Sequence, residues 1–379
     1  MSGAVQCSSP LAPGGQITCH AWSAGGELLA VCANASEVEV YRVSGRGGLL
    51  KFVREATLRE HDMQVVSMDF CGATGRLLTA SHDRNAWVWH QDATSGEWKP
   101  TVVVLQFNRA ALCARWAPGG RKFAVGGGGK AVCVAYFQEE NDWWAGRLIK
   151  RRHASAVLDV AWHPCGTLLA TGAADFKVRV FNAKLPGEDA AAAGAAWPGA
   201  AGAKFGECLL ELDARCWAHG VAWSPSGGAL AFVSHDACVR VLATAKQGAT
   251  DADVETIRLR KSPCAAVAFL GEDELVAAGW DNQPYLLTRK GGAWAMQGAL
   301  RSSAAPGGGA KAGGSAFASA FEKFHGGGSK PVGEGKTAHA NAITSLRLMG
   351  GQRFSTAALD GRLVVWDAGV ANGVEQLAL

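Results

Sequence analysis

Apolar and polar positions alternate in short runs along this chain, and one arrangement recurs. In residues 168–181 the apolar run LLATG leads to a turn at Ala174 and Asp175, and then to KVRVF, in which polar and apolar side chains alternate. A short apolar run, a tight turn and a period of two predict a β-hairpin with one solvent-facing side. The aspartate, with an apolar or aromatic residue six positions later, recurs as Asp83 with Trp89, Asp360 with Trp366, Asp236 with Leu242 and Asp281 with Leu287.

Two weaker copies raise the number of units to seven. They lack the aspartate and cover residues 37–41 and 130–137, so the third strands of the units end at residues 41, 89, 137, 181, 242, 287 and 366. Four of the six spacings fall between 44 and 48 residues, which is typical of a four-stranded blade of the WD-repeat kind. We therefore predict an all-β fold, in which residues 1–379 form a single seven-bladed WD-repeat β-propeller.

A closed ring has to join its two ends, and in propellers the N-terminal strand commonly completes the last blade. Residues 4–7, with the sequence AVQC, precede the first unit and have little else to pair with. Left alone, such a strand would be an exposed edge. We therefore predict that residues 4–7 complete the seventh blade, and that residues 368–379 are too few for another blade.

The two long spacings predict insertions. Residues 183–214 contain an Ala- and Gly-rich stretch, and we predict a poorly ordered surface loop there. Residues 301–337 contain two glycine triplets, which are typical of flexible tethers. Between the triplets, Phe317, Phe321 and Phe324 have the spacing of one helix face. We predict a short helical insertion between blades 6 and 7.

Composition gives little support to several other classes of protein. The net charge of +4 is small for 379 residues, whereas nucleic-acid binding usually needs a concentrated basic stripe. No apolar run reaches the ~18–20 residues of a membrane span, and the N-terminus lacks the pattern of a secretory signal. None of the eleven cysteines forms a C-x-x-C pair, so we expect buried free thiols, with no metal and no cofactor.

His61, Ser81 and Asp83 are the residue types of a catalytic triad, and Trp89 follows them. A catalytic set would not repeat from blade to blade, yet the spacing between histidine and aspartate recurs, or nearly so, as His153 with Asp175 and as His339 with Asp360. WD-repeat blades commonly join such residues in a buried relay of hydrogen bonds that holds the strands in register. We therefore predict that His61, Ser81, Asp83 and Trp89 form a structural relay, and that the chain has no catalytic residues.

Several strings go beyond the repeat pattern. They are HDRNAWVW at residues 82–89, EWKPTVVVLQFNRAA at residues 97–111, KFAVGGGGK at residues 122–130 and QEENDWWAGRLIK at residues 138–150. In these strings the chain closely resembles the WD-repeat subunit, subunit 1, of the actin-related protein 2/3 complex, and the likeness runs through all seven units. The string NDWW at residues 141–144 is especially specific, because propeller periodicity does not require it in a connecting loop.

The resemblance implies a noncatalytic scaffold subunit of a seven-subunit assembly that nucleates branched actin filaments in the cytoplasm, at the actin cytoskeleton. It implies three kinds of partner, namely the other subunits of the complex, the actin filament and acidic nucleation-promoting factors. Two alternatives stay open. One is a WD-repeat adaptor of another multiprotein complex. The other is an enzyme that uses the central channel, although the loops carry no paired carboxylates and no metal-spaced cluster of His and Cys.

Two segments are predicted partner contacts. Trp143 and Trp144 cannot both turn inward on one strand, because successive side chains face opposite ways. Either one of them meets another blade or subunit, or both lie in contacts between the propeller's own blades. Lys150, Arg151 and Arg152 form a basic cluster, which is either a solvated loop or, given the resemblance, a contact for an acidic partner surface.

The resemblance also covers the predicted helix. In relatives the insertion between the sixth and seventh blades carries a short protruding helix that is implicated in touching actin. Residues 321–324, with the sequence FEKF, match its core of an apolar residue, two charged residues and a phenylalanine. The resemblance therefore implies that Phe317, Phe321, Lys323 and Phe324 contact actin.

Replacing Phe321 and Phe324 together by alanine tests this contact. Burial of each ring contributes ~1.5–3 kcal/mol, from which ~1–2 kcal/mol is lost for each tether residue that becomes ordered, so the contact alone is weak. Inside a complex it adds to other contacts at high effective concentration. We expect fewer or shorter-lived branches in filament imaging, with unchanged subunit assembly. A variant that fails to assemble would place the helix inside the complex, and normal branching would make the segment a linker.

Overall fold

The computed structural model describes residues 15–45, 50–185, 202–243, 248–259, 262–300, 337–369 and 376–378, together with Asp189, Trp197 and Ala200. In this part of the chain the strands form seven four-stranded antiparallel sheets, each built from strands that follow one another in the sequence. The inner strand of each sheet contacts the inner strands of its two neighbours, and the first sheet contacts the seventh. The predicted seven-bladed β-propeller is therefore confirmed.

Within each blade the chain runs from the inner to the outer strand. Blades 1 to 4 consist of β1 (Cys19–Trp22), β2 (Leu28–Cys32), β3 (Val38–Ser44) and β4 (Lys51–Leu58); β5 (Val65–Phe70), β6 (Leu77–Ser81), β7 (Asn85–Gln91) and β8 (Trp98–Val104); β9 (Ala111–Trp116), β10 (Lys122–Gly127), β11 (Ala131–Gln138) and β12 (Trp143–Ile149); and β13 (Val157–Trp162), β14 (Leu168–Ala173), β15 (Lys177–Asn182) and β16 (Cys208–Asp213). Blades 5 to 7 consist of β17 (Ala218–Trp223), β18 (Leu230–Ser234), β19 (Cys238–Leu242) and β20 (Val254–Arg258); β21 (Cys264–Gly271), β22 (Glu274–Gly279), β23 (Tyr285–Lys290) and β24 (Ala293–Ala299); and β25 (Ile343–Gly350), β26 (Arg353–Ala358), β27 (Leu363–Asp367) and β28 (Gln376–Ala378).

The helical content of the described ranges is small. A 3-10 helix at Asp251–Asp253 precedes β20. Within these ranges, no helix has the length and apolar character needed to cross a membrane. The predicted helix between blades 6 and 7 lies outside the described residues.

The core lies between blades. Every residue of the second strands β6, β10, β14 and β18 is buried, because both faces of the sheet are covered by neighbouring blades. One cluster joins Val88 of blade 2 to Phe123 and Trp144 of blade 3. The third strands carry the positions that the sequence pattern identified, from Tyr41 in β3 to Trp366 in β27.

Tryptophans of the inner strands bond blades 3, 4 and 5 to the preceding blade. The indole Nε1 of Trp116 donates to the carbonyl of Asp69 (3.1 Å), that of Trp162 to Arg115 O (3.1 Å), and that of Trp223 to Ala161 O (3.2 Å). Each acceptor lies on the inner strand of the blade before. These bonds contribute ~0.5–1.5 kcal/mol each, and a buried carbonyl left without one would cost more.

The ring closes between blades 1 and 7 through other atoms. The main-chain N of Ile17 donates to Ala358 O (3.2 Å), and Trp22 Nε1 donates to Ser355 Oγ (2.9 Å). The guanidinium of Arg347, on β25, donates to His20 O (3.0 Å) and to Met68 O (2.9 Å). A single side chain of blade 7 therefore reaches the inner strands of blades 1 and 2.

The outer strand of the seventh blade differs from the prediction. It is β28, Gln376–Ala378, which pairs antiparallel with β27 at Val364, Val365 and Trp366. The prediction of an N-terminal outer strand is therefore wrong for this blade, because three residues of the C-terminal tail are enough to occupy the position. Residues 4–7 lie outside the described residues.

The predicted loop at residues 183–214 contains fixed positions. Cys208–Asp213 is β16, the outer strand of blade 4. Trp197 is buried against Trp223, and the ammonium group of Lys122 forms an ion pair with Asp189. The described residues of this segment are therefore bonded to the propeller.

The relay of blade 2 uses a different hydroxyl from the predicted one. His61 Nδ1 bonds Asp83 Oδ2 (2.6 Å), and His61 Nε2 and Trp89 Nε1 bond Thr79 Oγ1 (2.8 and 3.0 Å). Thr79 lies two positions from the residue paired with Trp89, on the same face of the sheet, so the indole reaches it diagonally. Ser81, at the strand end, donates instead to a main-chain carbonyl (2.8 Å) and accepts from Asp83 N (3.1 Å).

The same relay recurs in blade 7. His339 bonds Asp360 through Nδ1 (3.3 Å) and Thr356 Oγ1 through Nε2 (2.8 Å), and Trp366 Nε1 donates to that hydroxyl (2.8 Å). Burial lowers the pKa of His61 although Asp83 opposes the shift, so the relay holds a neutral imidazole at neutral pH. The repetition and the burial are those of a structural element.

Blade 4 keeps only part of the relay. His153 Nε2 still bonds Thr171 Oγ1 (3.0 Å), but Arg179 donates to Asp175 Oδ2 (2.8 Å) and Phe181 stands where blades 2 and 7 have tryptophan. Within the described residues His153 Nδ1 has no hydrogen-bond partner. Burial, and then the charge of Arg179, lowers the pKa of His153 to about 4.

Thr79→Val tests the relay assignment. It keeps the shape of the side chain but leaves His61 Nε2 and Trp89 Nε1 without a partner, and each unsatisfied buried group costs ~1–3 kcal/mol. We expect a lower midpoint of thermal unfolding for the purified full chain. The matched control is Thr101→Val on the outer strand β8, whose side chain is only partly buried. Equal midpoints for the two variants would contradict the assignment.

Candidate protein-interaction surface

The two adjacent tryptophans lie on opposite faces of β12. Trp144 is 7% exposed and packs against Trp116 and Phe123, with ring centroids 5.6 and 5.0 Å apart. Trp143 is 58% exposed, and its Nε1 donates to Gln138 Oε1 (2.6 Å). The two tryptophans therefore do not both lie in contacts between the propeller's own blades, because Trp144 is buried and Trp143 is exposed. Trp143 is therefore available to a partner.

The basic cluster follows the other end of the same strand. Lys150, Arg151 and Arg152 come directly after β12, and all three are exposed. Arg151 has a left-handed φ of 62°, which turns the chain sharply towards blade 4. None of the three forms an ion pair within the described part of the chain. Their charges are thus free to meet an acidic surface.

These two predicted contacts lie on different faces of the ring. Trp143 pairs with Gln138 beside the loop that joins β11 to β12. At the other end of the strand, Ile149 pairs with Val132 beside the turn that joins β10 to β11. A strand of seven residues at ~3.3 Å per residue separates the ends by ~20 Å. Closeness in sequence therefore does not make Trp143 and Lys150 one site.

The predicted actin contact cannot be placed. Phe317, Phe321, Lys323 and Phe324 all lie outside the described residues. The contact stays a prediction of the sequence.

A second aromatic surface was missed by the sequence reasoning. Trp217 of blade 5 and Trp280 of blade 6, which are 47% and 42% exposed, flank a pair of histidines of blade 5. His219 Nε2 and His235 Nδ1 are 2.9 Å apart, and the Trp280 ring lies 5.0 Å from His219 and 5.3 Å from His235. Burial, and then His235, lowers the pKa of His219 to about 4. Nothing in the spacing of these residues predicts that they meet, because they come from three different loops and strands.

Within the described ranges, neither a metal-binding cluster nor a disulfide is present. No group of three or more His, Cys, Asp and Glu side chains is arranged there to hold a metal ion. The cysteines of these ranges are free thiols, and most are buried, as Cys113 and Cys133 are. Burial raises the pKa of the Cys133 thiol to about 12, which keeps it protonated.

Comparison with known proteins agrees with this architecture. The family model WD domain, G-beta repeat matches residues 52–90 and 146–182, which span parts of blades 1 and 2 and of blades 3 and 4. The chain is 37% identical over 365 residues to "Actin-related protein 2/3 complex subunit 1B" of Arabidopsis thaliana, an alignment that covers 93% of this chain and 94% of the relative.

Relatives outside plants match over the same extent. "Actin-related protein 2/3 complex subunit 1A-B" of Xenopus laevis is 36% identical, over 93% of this chain and 94% of the relative. "Actin-related protein 2/3 complex subunit 1" of Schizosaccharomyces pombe is 32% identical, over 92% of this chain and 95% of the relative. With 32–37% identity to these relatives over 92–93% of its length, the chain belongs to the family of subunit 1 of the actin-related protein 2/3 complex.

Proposed function

We propose that this chain is a noncatalytic scaffold subunit of an actin-related protein 2/3 complex that nucleates branched actin filaments at the actin cytoskeleton of the cytoplasm. The observation that carries the proposal is the length of the match: relatives named as subunit 1 of that complex align over 92–93% of the chain, through all seven blades. A match of that extent includes the connecting loops, where partner contacts of a propeller usually lie.

The proposal of a noncatalytic role rests on where the polar side chains are used. The histidine, threonine and aspartate sets of blades 2 and 7 are buried and bonded to neighbouring strands. A catalytic group has to reach a substrate, and these side chains are occupied in holding the sheets together. The role left to the chain is recognition by its surface.

Three surfaces are assigned to partners. Trp143 contacts another subunit of the complex, since an exposed indole on a rigid strand offers apolar area that assembly would bury. Lys150, Arg151 and Arg152 bind acidic nucleation-promoting factors or an acidic subunit surface, because they are exposed and form no ion pair with the residues that the structure describes. The segment with Phe317, Phe321, Lys323 and Phe324 contacts the actin filament, which rests on the sequence alone.

Co-purification tests membership of the complex. The full chain, tagged in its own cells, is expected to bring down two actin-related proteins and the other small subunits in equal amounts. A different set of partners, such as those of a ubiquitin ligase or a trafficking coat, would contradict the proposal in favour of an adaptor. Recovery of the chain alone, without partners, would contradict the scaffold role altogether.

Reversing the charges of the basic cluster tests its contact. The triple variant Lys150→Glu, Arg151→Glu and Arg152→Glu is expected to weaken binding to an acidic activator segment by tenfold or more at ~0.05 M salt, and by much less at ~0.5 M salt, because exposed charges are screened. The matched control reverses three exposed basic residues in other blades, Lys51, Lys290 and Arg353. Equal loss in both triple variants would assign the effect to net charge and remove the cluster from the interface.

A further inference from the structure

The exposed aromatic side chains of blades 5 and 6 form one continuous surface. His235 N donates to Trp217 O (3.0 Å), which holds the loop before β17 against the turn that follows β18. The centroid of the His235 ring lies 5.5 Å from that of Trp217 and 5.3 Å from that of Trp280. Both indoles are nearly half exposed. We call the surface made by Trp217, His219, His235 and Trp280 the blade 5–6 aromatic surface.

The carboxylates next to this surface are already bonded. Asp236 forms an ion pair with Arg240 (2.5 Å), and Asp281 accepts a hydrogen bond from the hydroxyl of Tyr285. Arg215 is exposed beside the surface and forms no ion pair within the described chain. A basic ligand would therefore find no free carboxylate here, whereas an apolar or aromatic ligand would cover the two indoles without stripping water from a charge.

The chain leaves the described part of the structure beside this surface. Leu300 follows β24, and its main-chain N donates to Pro284 O (2.8 Å), in the turn between β22 and β23 that carries Trp280. The chain returns at Thr337, ahead of β25. Because the strands of a blade are antiparallel, the loop into an inner strand and the turn between the second and third strands lie at the same end. Residues 301–336 therefore start and end on the face of the ring that bears the aromatic surface.

The sequence of this insertion supplies side chains that match the surface. Phe317, Phe321 and Phe324 share one face of the predicted helix, so three aromatic rings are presented together. Aromatic rings pack against one another in edge-to-face or offset arrangements, and such pairs are favourable beyond the area that they bury. Three phenylalanines and two exposed indoles are thus complementary in chemistry, and each set leaves apolar surface in water without the other.

The length of the insertion makes a weak contact sufficient. Phe321 is 21 residues from Leu300 and 16 from Thr337, and the glycine triplets on either side predict flexible connections. Flexible chains of these lengths have root-mean-square spans of ~20–28 Å. Tethers of this kind hold a segment at an effective concentration of ~1 mM. A contact with an intrinsic dissociation constant below ~1 mM is then occupied most of the time.

We infer that the blade 5–6 aromatic surface is a docking site for this chain's own insertion, through the face that carries Phe317, Phe321 and Phe324. The site goes beyond the proposed function, because it gives these rings a surface when no other protein is present. A partner that binds the same rings has to compete with the docking. Its apparent affinity falls in proportion to the fraction of the insertion that stays undocked.

Site-specific photo-crosslinking tests the docking site. Phe321 is replaced by p-benzoylphenylalanine, which keeps an aromatic ring at the position, and the purified full chain is irradiated and digested for mass spectrometry. We expect crosslinks within one chain to peptides that contain Trp217 or Trp280, with a yield that does not change on tenfold dilution. The double variant Trp217→Ala with Trp280→Ala should lower that yield about tenfold, because it removes both indoles from the surface.

Matched variants accompany this experiment. Trp143→Ala removes an exposed tryptophan beside the loop that joins β11 to β12, on the other face of the ring, and should leave the yield unchanged. Phe317→Ser with Phe324→Ser removes two of the three rings from the insertion and should lower the yield as the double tryptophan variant does. The midpoint of thermal unfolding shows whether each variant keeps the fold. If the double tryptophan variant unfolds, the serine variant decides.

Several results would overturn the inference. Crosslinks between two chains that disappear on dilution would assign the surface to a second copy of the chain. Crosslinks to other parts of the propeller, an unchanged yield in a folded variant of either set, or no crosslink from position 321 would contradict the docking site directly. None of these results bears on the proposed function, which fails if the tagged wild-type chain does not bring down the actin-related proteins.

Discussion

A ring of separate sheets holds together only if each blade is bonded to the next, and the inner-strand tryptophans supply much of that bonding. Trp116, Trp162 and Trp223 each fill space between two blades with an aromatic ring and place the indole N–H on a carbonyl of the preceding inner strand. One side chain thus combines apolar burial with the satisfaction of a buried acceptor. Because this contact repeats in blades 3, 4 and 5, it fixes the positions of three consecutive blades relative to the blades before them.

Within a blade the equivalent constraint is the relay between the aspartate turn and the third strand. Its members can be identified in the sequence as far as their spacing is fixed, and the hydrogen bonds of blade 2 include His61, Asp83 and Trp89. The hydroxyl was not, because Thr79 and Ser81 lie on one face of the same strand and only the register shows which of them is near the indole. Blade 4 departs from the repeat, since Asp175 accepts a hydrogen bond from Arg179, whereas the equivalent aspartates of blades 2 and 7 bond a histidine.

The remaining differences between expectation and structure have the same origin. Alternation along the chain predicts strands and their order, since it reflects which face is buried. It does not predict which segment fills the outer position of the last blade, because that depends on reach in space, and Gln376–Ala378 is close enough. Nor does it show that Trp143 and Lys150 lie ~20 Å apart at the two ends of one strand, or that Trp217 and Trp280 both lie against His235.

In this chain several buried polar side chains have hydrogen-bond partners in neighbouring blades, whereas several exposed ones have none within the described residues. Inside the propeller, charged side chains form hydrogen bonds between blades. Arg347 donates to carbonyls of blades 1 and 2, and Asp69 of blade 2 accepts from the main chain of blade 3. At the tip of the β11–β12 hairpin, Glu139, Glu140 and Asp142 are exposed and form no ion pair within the described chain, and the Trp143 indole of the same hairpin is exposed as well. Exposed charges without a partner add little to the stability of the propeller, because water and salt screen them. The residues that hold the ring together and the residues left at its surface are therefore different sets.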